Sequence, residues 1–195
     1  MEATSTEDYA AGRTLIEEYA AALGVDLCFQ NFSEEIANLP KVYGPPGGRL
    51  LLARIDGETV GCVAVRNQGA AACEMKRLYV RPQYRGAGLG RRLVELAIKH
   101  AQQLGYSRMV LDTLPSMTEA QSLYESLGFR EVEGYYPNPL DGVRFLTREL
   151  SRPILVKRRI RALTMTEVQL PRLVLNGNCA VCGHNVARLV EGFRP

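Results

Sequence analysis

The feature that narrows the fold most is RPQYRGAGLGRRLVELA, residues 81–97, where Gly86, Gly88 and Gly90 fall within five positions between arginines and run straight into a helical pattern. Before it stands ACEMKRLYV, an apolar strand stopped by Pro82. After the glycines, Leu89, Leu93, Leu96, Ala97 and Leu104 share one helical stripe that ends at Gly105. The next strand is SRMVLDTL, so the order strand, helix, strand makes a crossover between parallel strands. The turn itself offers free amide hydrogens at a helix N-terminus and about half a positive charge of dipole. With Arg85, Arg91 and Arg92 around it, this is the setting of a pyrophosphate site. Taken alone, the stretch also reads as a glycine-rich connection without a ligand.

Two nucleotide loops are excluded. A dinucleotide fingerprint needs a glycine where Arg91 stands and an acidic residue ending a following strand, and a Walker A loop needs Gly-Lys-Ser/Thr. Elsewhere, Leu15, Ile16, Tyr19 and Leu23 are spaced as a helix with Ser5 or Thr6 as cap and Gly24 as stop. FSEEIANLP reads as a short helix capped by Ser33 and ended before Pro40. RLLLARI and ETVGCVAVRN form strands around an Asp56-Gly57 hairpin turn, SMTEAQSLYESLG a helix, and FREVEGYY and GVRFLTREL two more strands. The order predicts an α/β (α+β) domain over residues 1–150, built on a mixed sheet, followed by a short extension over 151–195. A core of about 150 residues buries roughly 70% of its unfolded surface and needs no staples.

Charge separates the two parts. Residues 1–150 hold 16 Lys plus Arg against 19 Asp plus Glu, whereas 151–195 hold 8 against 2. The basic excess sits in the extension, which argues against a nucleic-acid-binding protein as a whole. The first twenty residues carry Glu2, Glu7, Asp8, Arg13, Glu17 and Glu18 and no apolar stretch of signal-peptide length, and no run approaches the roughly 20 apolar residues of a membrane span. A cytoplasmic protein with no membrane partner is expected. The cysteines Cys28, Cys62, Cys73, Cys179 and Cys182 are odd in number and read as thiols rather than a disulfide framework.

QYRGAGLG after CEMKRLYV, with LYESLGF downstream, resembles the GNAT superfamily of acyl-CoA N-acyltransferases. Gln83 to Gly88 match that family's loop motif Arg/Gln-x-x-Gly-x-Gly/Ala, and the resemblance covers about residues 4–150. It implies a GNAT fold whose fourth and fifth strands, here ACEMKRLYV and SRMVLDTL, splay apart. It also implies acetyl-CoA as cosubstrate, its pantetheine arm along Leu78, Tyr79 and Val80 and its pyrophosphate on Arg85, Gly86, Ala87, Gly88, Leu89, Gly90 and Arg91. The implied activity is transfer of an acetyl group to a primary amine of a small molecule or peptide, by direct attack in a ternary complex.

An amine with a pKa near 10 is neutral in about one molecule per 10³ at pH 7, so a base helps. Glu74, four residues before Leu78, matches the family position of the glutamate that removes that proton. Asp112, ending the next strand, is the reserve. The structural alternative is that Glu74 pairs with Lys76 or Arg77. Tyr124 of LYESLGF matches the tyrosine that protonates the departing thiolate; the alternative is a core tyrosine on an amphipathic helix. The family's asparagine seven residues earlier is Met117 here, which removes a hydrogen bond to the pantetheine region. His100 and His184 are the chain's histidines, and neither suits a hydrolase triad.

By resemblance the acceptor pocket lies between DLCFQNFSEE and EGYYPNPLDG, with Phe29, Phe32, Glu34, Tyr135, Tyr136 and Asn138 as candidates. Only MEAT precedes the first helix, so the family's first strand is missing from the pattern, and an uncovered edge calls for a partner chain or the extension. The extension carries Cys179-x-x-Cys182, half of a zinc knuckle, readable as unliganded thiols, as an incomplete site shared by two chains, or as a redox pair. No metal is expected in the domain, and a homodimer would serve both the edge and the knuckle. The rival function is a noncatalytic acyl-CoA-binding module whose basic extension contacts nucleic acid or a protein.

Overall fold

The computed structural model describes residues 1–25, 27–69 and 71–151. The calls on Cys179, Cys182 and His184 lie outside them. The described elements are α1 (Thr6–Leu23), α2 (Phe32–Ala37), α3 (Leu39–Tyr43), β1 (Arg49–Ile55), β2 (Glu58–Asn67) and β3 (Ala72–Val80), then α4 (Leu89–Gln103), β4 (Arg108–Thr113), α5 (Thr118–Ser126), β5 (Arg130–Val132) and β6 (Arg144–Glu149). The strands form one sheet in the order β1-β2-β3-β4-β6-β5, with β3 and β4 parallel and the other neighbours antiparallel. This is the mixed sheet with flanking helices that the sequence predicts.

Local chemistry sets the element ends. Ser5 accepts the Asp8 amide and Asp8 accepts the amides of Thr4 and Ser5, a reciprocal cap, and Gly24 closes α1 at φ 65°. Asp56 and Gly57 both have positive φ, 49° and 83°, the turn that lets β1 and β2 twist together. Successive strand residues then face opposite layers. Leu50, Leu52, Cys62, Ala64 and Tyr79 meet α1 and α3, while Leu51, Val63, Val65, Cys73 and Met75 meet α4 and α5.

Two distortions of β3 place the site. Cys62 pairs with Tyr79 and Ala64 with Lys76, so Arg77 and Leu78 together oppose Val63. Arg77 takes φ 58°, in the left-handed region that a non-glycine residue rarely occupies. The extra residue resets the alternation. Lys76 and Arg77 both turn toward the α2 side, and Leu78 turns to the α4 side. Beyond the bulge β3 has left its other neighbour: β3 and β4 pair at Ala72, Cys73 and Glu74 only. The two strands therefore splay, as the family resemblance implies.

Three sequence expectations need correction. Ser33 is not a cap, since α2 starts after Asn31, which has φ 56° and makes no side-chain cap bond. Pro40 sits in the first turn of α3, where its missing amide hydrogen costs nothing, so it opens a helix rather than ending one. Leu96 is 38% exposed, at the margin of a stripe completed instead by Val94, Ile98 and Ala101. The edge expected to be bare has a short cover as well. The Ala3 amide donates to Leu50 O at 2.8 Å and the Leu52 amide to Met1 O at 2.8 Å, with Glu2 bridged to Leu51.

Candidate active site

Among the described residues, hollows follow one another along the splay. The first is a cleft of about 790 Å³ between the glycine turn, the end of β3 and α5. Gly86 and Gly88 take φ 82° and 77°, and a Cβ on either would meet only open space, so the requirement for glycine is conformational rather than steric. Gly88 caps α4 without a side-chain hydrogen bond, which leaves the first amides of α4 unclaimed by any side chain. Leu78, Tyr79, Val80, Arg85, Gly86, Gly88, Leu89, Gly90 and Arg91 all line this cleft, and Ala87 lies in the turn between the two strained glycines. The Arg81 amide bonds to Val60 O, so the main-chain groups of Val80 turn the other way, into the splay, where Val80 O accepts from Arg85 Nε at 2.8 Å. Arg85 also stacks over Tyr79, 5.8 Å from the ring centroid.

Tyr19, Leu23, Leu78 and Met117 continue from the cleft into a narrow gap between β3 and β4, about 40 Å³ in volume. Tyr124 and Thr113 line the gap from the α5 side. Tyr124 is buried, packs on Phe129 at 5.8 Å, and its hydroxyl bonds to no described residue. Burial raises its phenol above the ordinary range, so the proton is held at neutral pH. Met117 lines the gap as well.

Gln30 and Lys76 separate the gap from a third hollow, a pocket of about 470 Å³ whose walls include Phe29, Glu34, Arg66, Glu74 and Tyr136. Its floor is a network of paired side chains with Glu35, Glu74, Lys76 and Arg77 buried at its centre and Gln30, Arg66, Asp112, Tyr135 and Tyr136 half-buried about them. Glu74 is 1% exposed. Arg66, directly opposite it on β2, holds its Oε2 through Nε at 2.7 Å and Nη2 at 2.6 Å, while Tyr135 donates to Oε1 at 2.9 Å. The Lys76 ammonium lies 3.8 Å from Glu74 and 3.8 Å from Asp112, and donates to Gln30 Oε1 at 3.0 Å. Tyr136 donates to Asp112 Oδ2 at 3.1 Å and accepts from Asn138 at 2.9 Å. Beneath them Arg77 grips Glu35 with two bonds of 2.7 and 2.8 Å, Tyr43 adds a third at 2.7 Å, and Phe32 lies 5.1 Å from the guanidinium.

Burial sets the direction of ionisation at Lys76, Tyr135 and Tyr136. It lowers Lys76, against the pull of Glu74 and Asp112 in the other direction. It raises Tyr135 and Tyr136, and the neighbouring carboxylates add to the rise, so both phenols stay protonated as donors. Burial alone would raise Glu35, but the hydrogen bonds and charge of Arg77 outweigh it and leave the carboxyl below its ordinary value. Elsewhere burial pushes the Cys62 and Cys73 thiols up to about 12, far from thiolate chemistry. No helix among the described residues is long and apolar enough to cross a membrane.

The structure thus assembles the predicted acceptor residues unevenly. Phe29, Glu34 and Tyr136 line the pocket, Tyr135 reaches it through Glu74 and Asn138 through Tyr136, while Phe32 packs under Arg77 instead. Glu74 pairs with Arg66, with Lys76 beside it, and not with Arg77. Sequence reasoning missed Gln30, Arg66 and Thr113, and named Lys76 only as an ion-pair partner of Glu74, where the structure has it at 3.8 Å. Only Arg66 left a usable signal, because the antiparallel register sets it opposite Glu74.

The sequence model of the Acetyltransferase (GNAT) family matches residues 13–129. An uncharacterized N-acetyltransferase of Schizosaccharomyces pombe is 48% identical over 142 residues, covering 72% of this chain and 87% of that one. A second, from Dictyostelium discoideum, is 32% identical over 200 residues, covering 71% and 93%. Among solved structures, a GNAT-family acetyltransferase of Staphylococcus aureus superposes with a TM-score of 0.66 over 77% of this chain and 98% of that one, at 22% identity, a likeness of fold.

Proposed function

The chain belongs to the GNAT acetyltransferase family, and from that premise we propose that it transfers an acetyl group from acetyl-CoA to a primary amine in a ternary complex. The observation that carries the reading is the continuity of the hollows. The cleft at the glycine turn shares walls with the gap, and the gap shares Gln30 and Lys76 with the pocket over Glu74. A ligand held by its diphosphate at the turn can lay its thioester in the gap, and an amine in the pocket then approaches from the opposite side.

The roles follow from the groups present. The pyrophosphate takes the amides from Arg85 to Gly90, and the pantetheine arm runs along Leu78, Tyr79 and Val80. Glu74 is the base: Arg66 occupies Oε2, while Oε1 carries the Tyr135 hydrogen bond and has a second lone pair for the amine proton. Asp112 sits across the same ammonium and is the reserve base. The nitrogen attacks the thioester carbonyl, a C–N bond forms and the C–S bond breaks. Tyr124 donates to the departing sulfur. Because burial raises its phenol while a thiol ionises near 8.5, a hydrogen bond to the thiolate is favoured over complete proton transfer. Phe29, Glu34 and Tyr136 frame the amine, with Tyr135 and Asn138 behind them through Glu74 and Tyr136.

The test is thiol release from acetyl-CoA against a panel of small amines, amino acids and peptides. Turnover of at least one amine, with matching amide product, is expected. Binding of acetyl-CoA without turnover of any amine would overturn the enzyme reading and leave a binding module.

A further inference from the structure

Thr113, the last residue of β4, is 3% exposed, and among the described residues its Oγ1 is the buried side-chain polar atom that lacks a hydrogen-bond partner. The contrast with Thr147, one strand away and equally buried, shows what is unusual. Thr147 Oγ1 finds the carbonyl of Met109 across the ladder at 3.3 Å. Thr113 has no such carbonyl on its β3 side because the strand has gone: continued past Glu74 and Val110, the parallel register would set Arg77 there, and Arg77 is the bulge. The splay therefore leaves a hydroxyl without a partner at the narrowest part of the line of hollows. A buried hydroxyl in that state is a standing penalty on the fold, and native structures keep few of them without a reason.

The surroundings say what would satisfy it. The gap walls mix apolar side chains, Met75, Leu78, Leu114, Met117 and Leu140 among them, with the polar groups of Gln30, Lys76 and Asp112, and Tyr124 lines the same gap. Hydroxyl donors set among apolar and polar walls fit a chain that is itself apolar with spaced carbonyl oxygens. The pantetheine-thioester end of an acyl-CoA has that character.

We propose that Thr113 Oγ1 donates a hydrogen bond to a carbonyl oxygen of bound acyl-CoA, at the amide nearest the sulfur or at the thioester itself, and so supplies a polar contact that Met117 does not. The inference rests on the acetyltransferase reading and adds to it a binding residue outside the glycine turn. Thr113 contributes to affinity for the arm and leaves the diphosphate grip alone.

The experiment is calorimetry on the full chain as wild type, Thr113→Val and Thr113→Ser, with acetyl-CoA, CoA and adenosine 3′,5′-bisphosphate, alongside thermal melting without ligand. Valine keeps the shape and removes the hydroxyl. It should weaken acetyl-CoA about three- to tenfold, the range of one neutral hydrogen bond, and leave the bisphosphate unchanged. Serine should restore binding. Loss confined to acetyl-CoA puts the bond on the acetyl carbonyl, and loss shared with CoA puts it on the arm. Without ligand the valine variant should melt no lower than wild type, because no bond within the fold is lost. Unchanged acetyl-CoA affinity, equal weakening of the bisphosphate, or a lower melting temperature of the unliganded valine variant would each overturn the proposal. A wild-type chain that binds the bisphosphate and melts normally but ignores acetyl-CoA overturns the acetyltransferase reading, and this proposal with it.

Discussion

The two ends of the line of hollows are made of different material. At the glycine turn the groups offered are main-chain amides from a few consecutive residues, held by φ angles that only glycine takes easily, and the loop is largely exposed. At the acceptor end the groups are side chains drawn from the 3₁₀ turn at Gln30, from α2, β2, β3 and β4, and from the loop after β5, buried or half-buried for the most part and nearly all paired. A site built from backbone is written in one stretch of sequence and changes little when a distant residue changes. A site built from converging side chains depends on every element that delivers one. Mutations should therefore divide the protein: acceptor-end changes should disturb stability and turnover most, and turn changes should disturb nucleotide affinity most.

The largest effect is expected where the two ends meet. Arg77 bends β3 with its backbone and closes the floor of the acceptor pocket with its side chain. Arg77→Met would leave the Glu35 carboxylate buried without its partner, a loss of about 3–5 kcal/mol for a pair of this kind. Urea unfolding measures it. In the remaining folded protein acetyl-CoA affinity should move by less than about tenfold, since one neutral contact at most is at stake. A loss below about 1 kcal/mol would mean that the floor is not held by this pair.

Next is Glu74→Gln, which keeps the shape and can still accept from Arg66 but removes the charge and the proton acceptor and obliges Tyr135 to accept from the new amide. Turnover should fall by about 10² or more, the usual worth of a general base, with acetyl-CoA affinity unchanged. A matching loss of affinity would break the division between the two ends. So would a full effect in Asp112→Asn with none here, which would move the base to β4.

At the turn itself, Gly88→Glu forces a side chain to φ 77° and sets a carboxylate at the start of α4, where the diphosphate belongs. Acetyl-CoA should bind about tenfold more weakly through like-charge repulsion, a matter of about 1.4 kcal/mol. The strain is carried by the fold with or without ligand and should lower stability by about 1–2 kcal/mol and no more, because nothing lies within 4 Å of the added Cβ. A collapse in stability would show that the turn is tied to the core after all.

The same division explains what could be read before any coordinates. Gln83 to Gly88 announce their role because every group they use is local, and the crossover that follows fixes β3 beside β4. Hairpin chemistry at Asp56-Gly57 and the reciprocal cap at Ser5 and Asp8 were equally local. Phe32 went astray because FSEEIANLP does not say which face of α2 meets β3, and the answer depends on Arg77 reaching Glu35. Nothing in ACEMKRLYV marks Arg77 as a left-handed bulge, and without the bulge neither the extra turn of Arg77 toward α2 nor the unpartnered Thr113 can be foreseen. Gln30, the last residue of a 3₁₀ turn, acquires its place only when Lys76, Asp112 and Tyr136 arrive around it. Distance along the chain is the measure of what was legible.

The smallest effect separates the ends by their response to acid. Glu35 has a folded pKa below its ordinary 4.5 because Arg77 and Tyr43 together outweigh burial. In the window from 4.5 down to that folded value the unfolded chain binds a proton that the native chain does not, so stability rises with pH there; the contribution is complete above 4.5 and gone below the folded value. Urea midpoints between pH 3 and 6 should therefore climb more steeply in wild type than in Glu35→Gln, which cannot titrate but can still accept from Tyr43. Gly88→Glu should keep the wild-type slope, apart from its own exposed carboxyl. Equal slopes in wild type and Glu35→Gln would mean that Glu35 ionises alike in both states and that the Arg77 bond only compensates its burial. The acceptor end would then owe its rigidity to packing against Tyr43 and Phe32 rather than to charge, and the contrast between the two ends would be one of location alone.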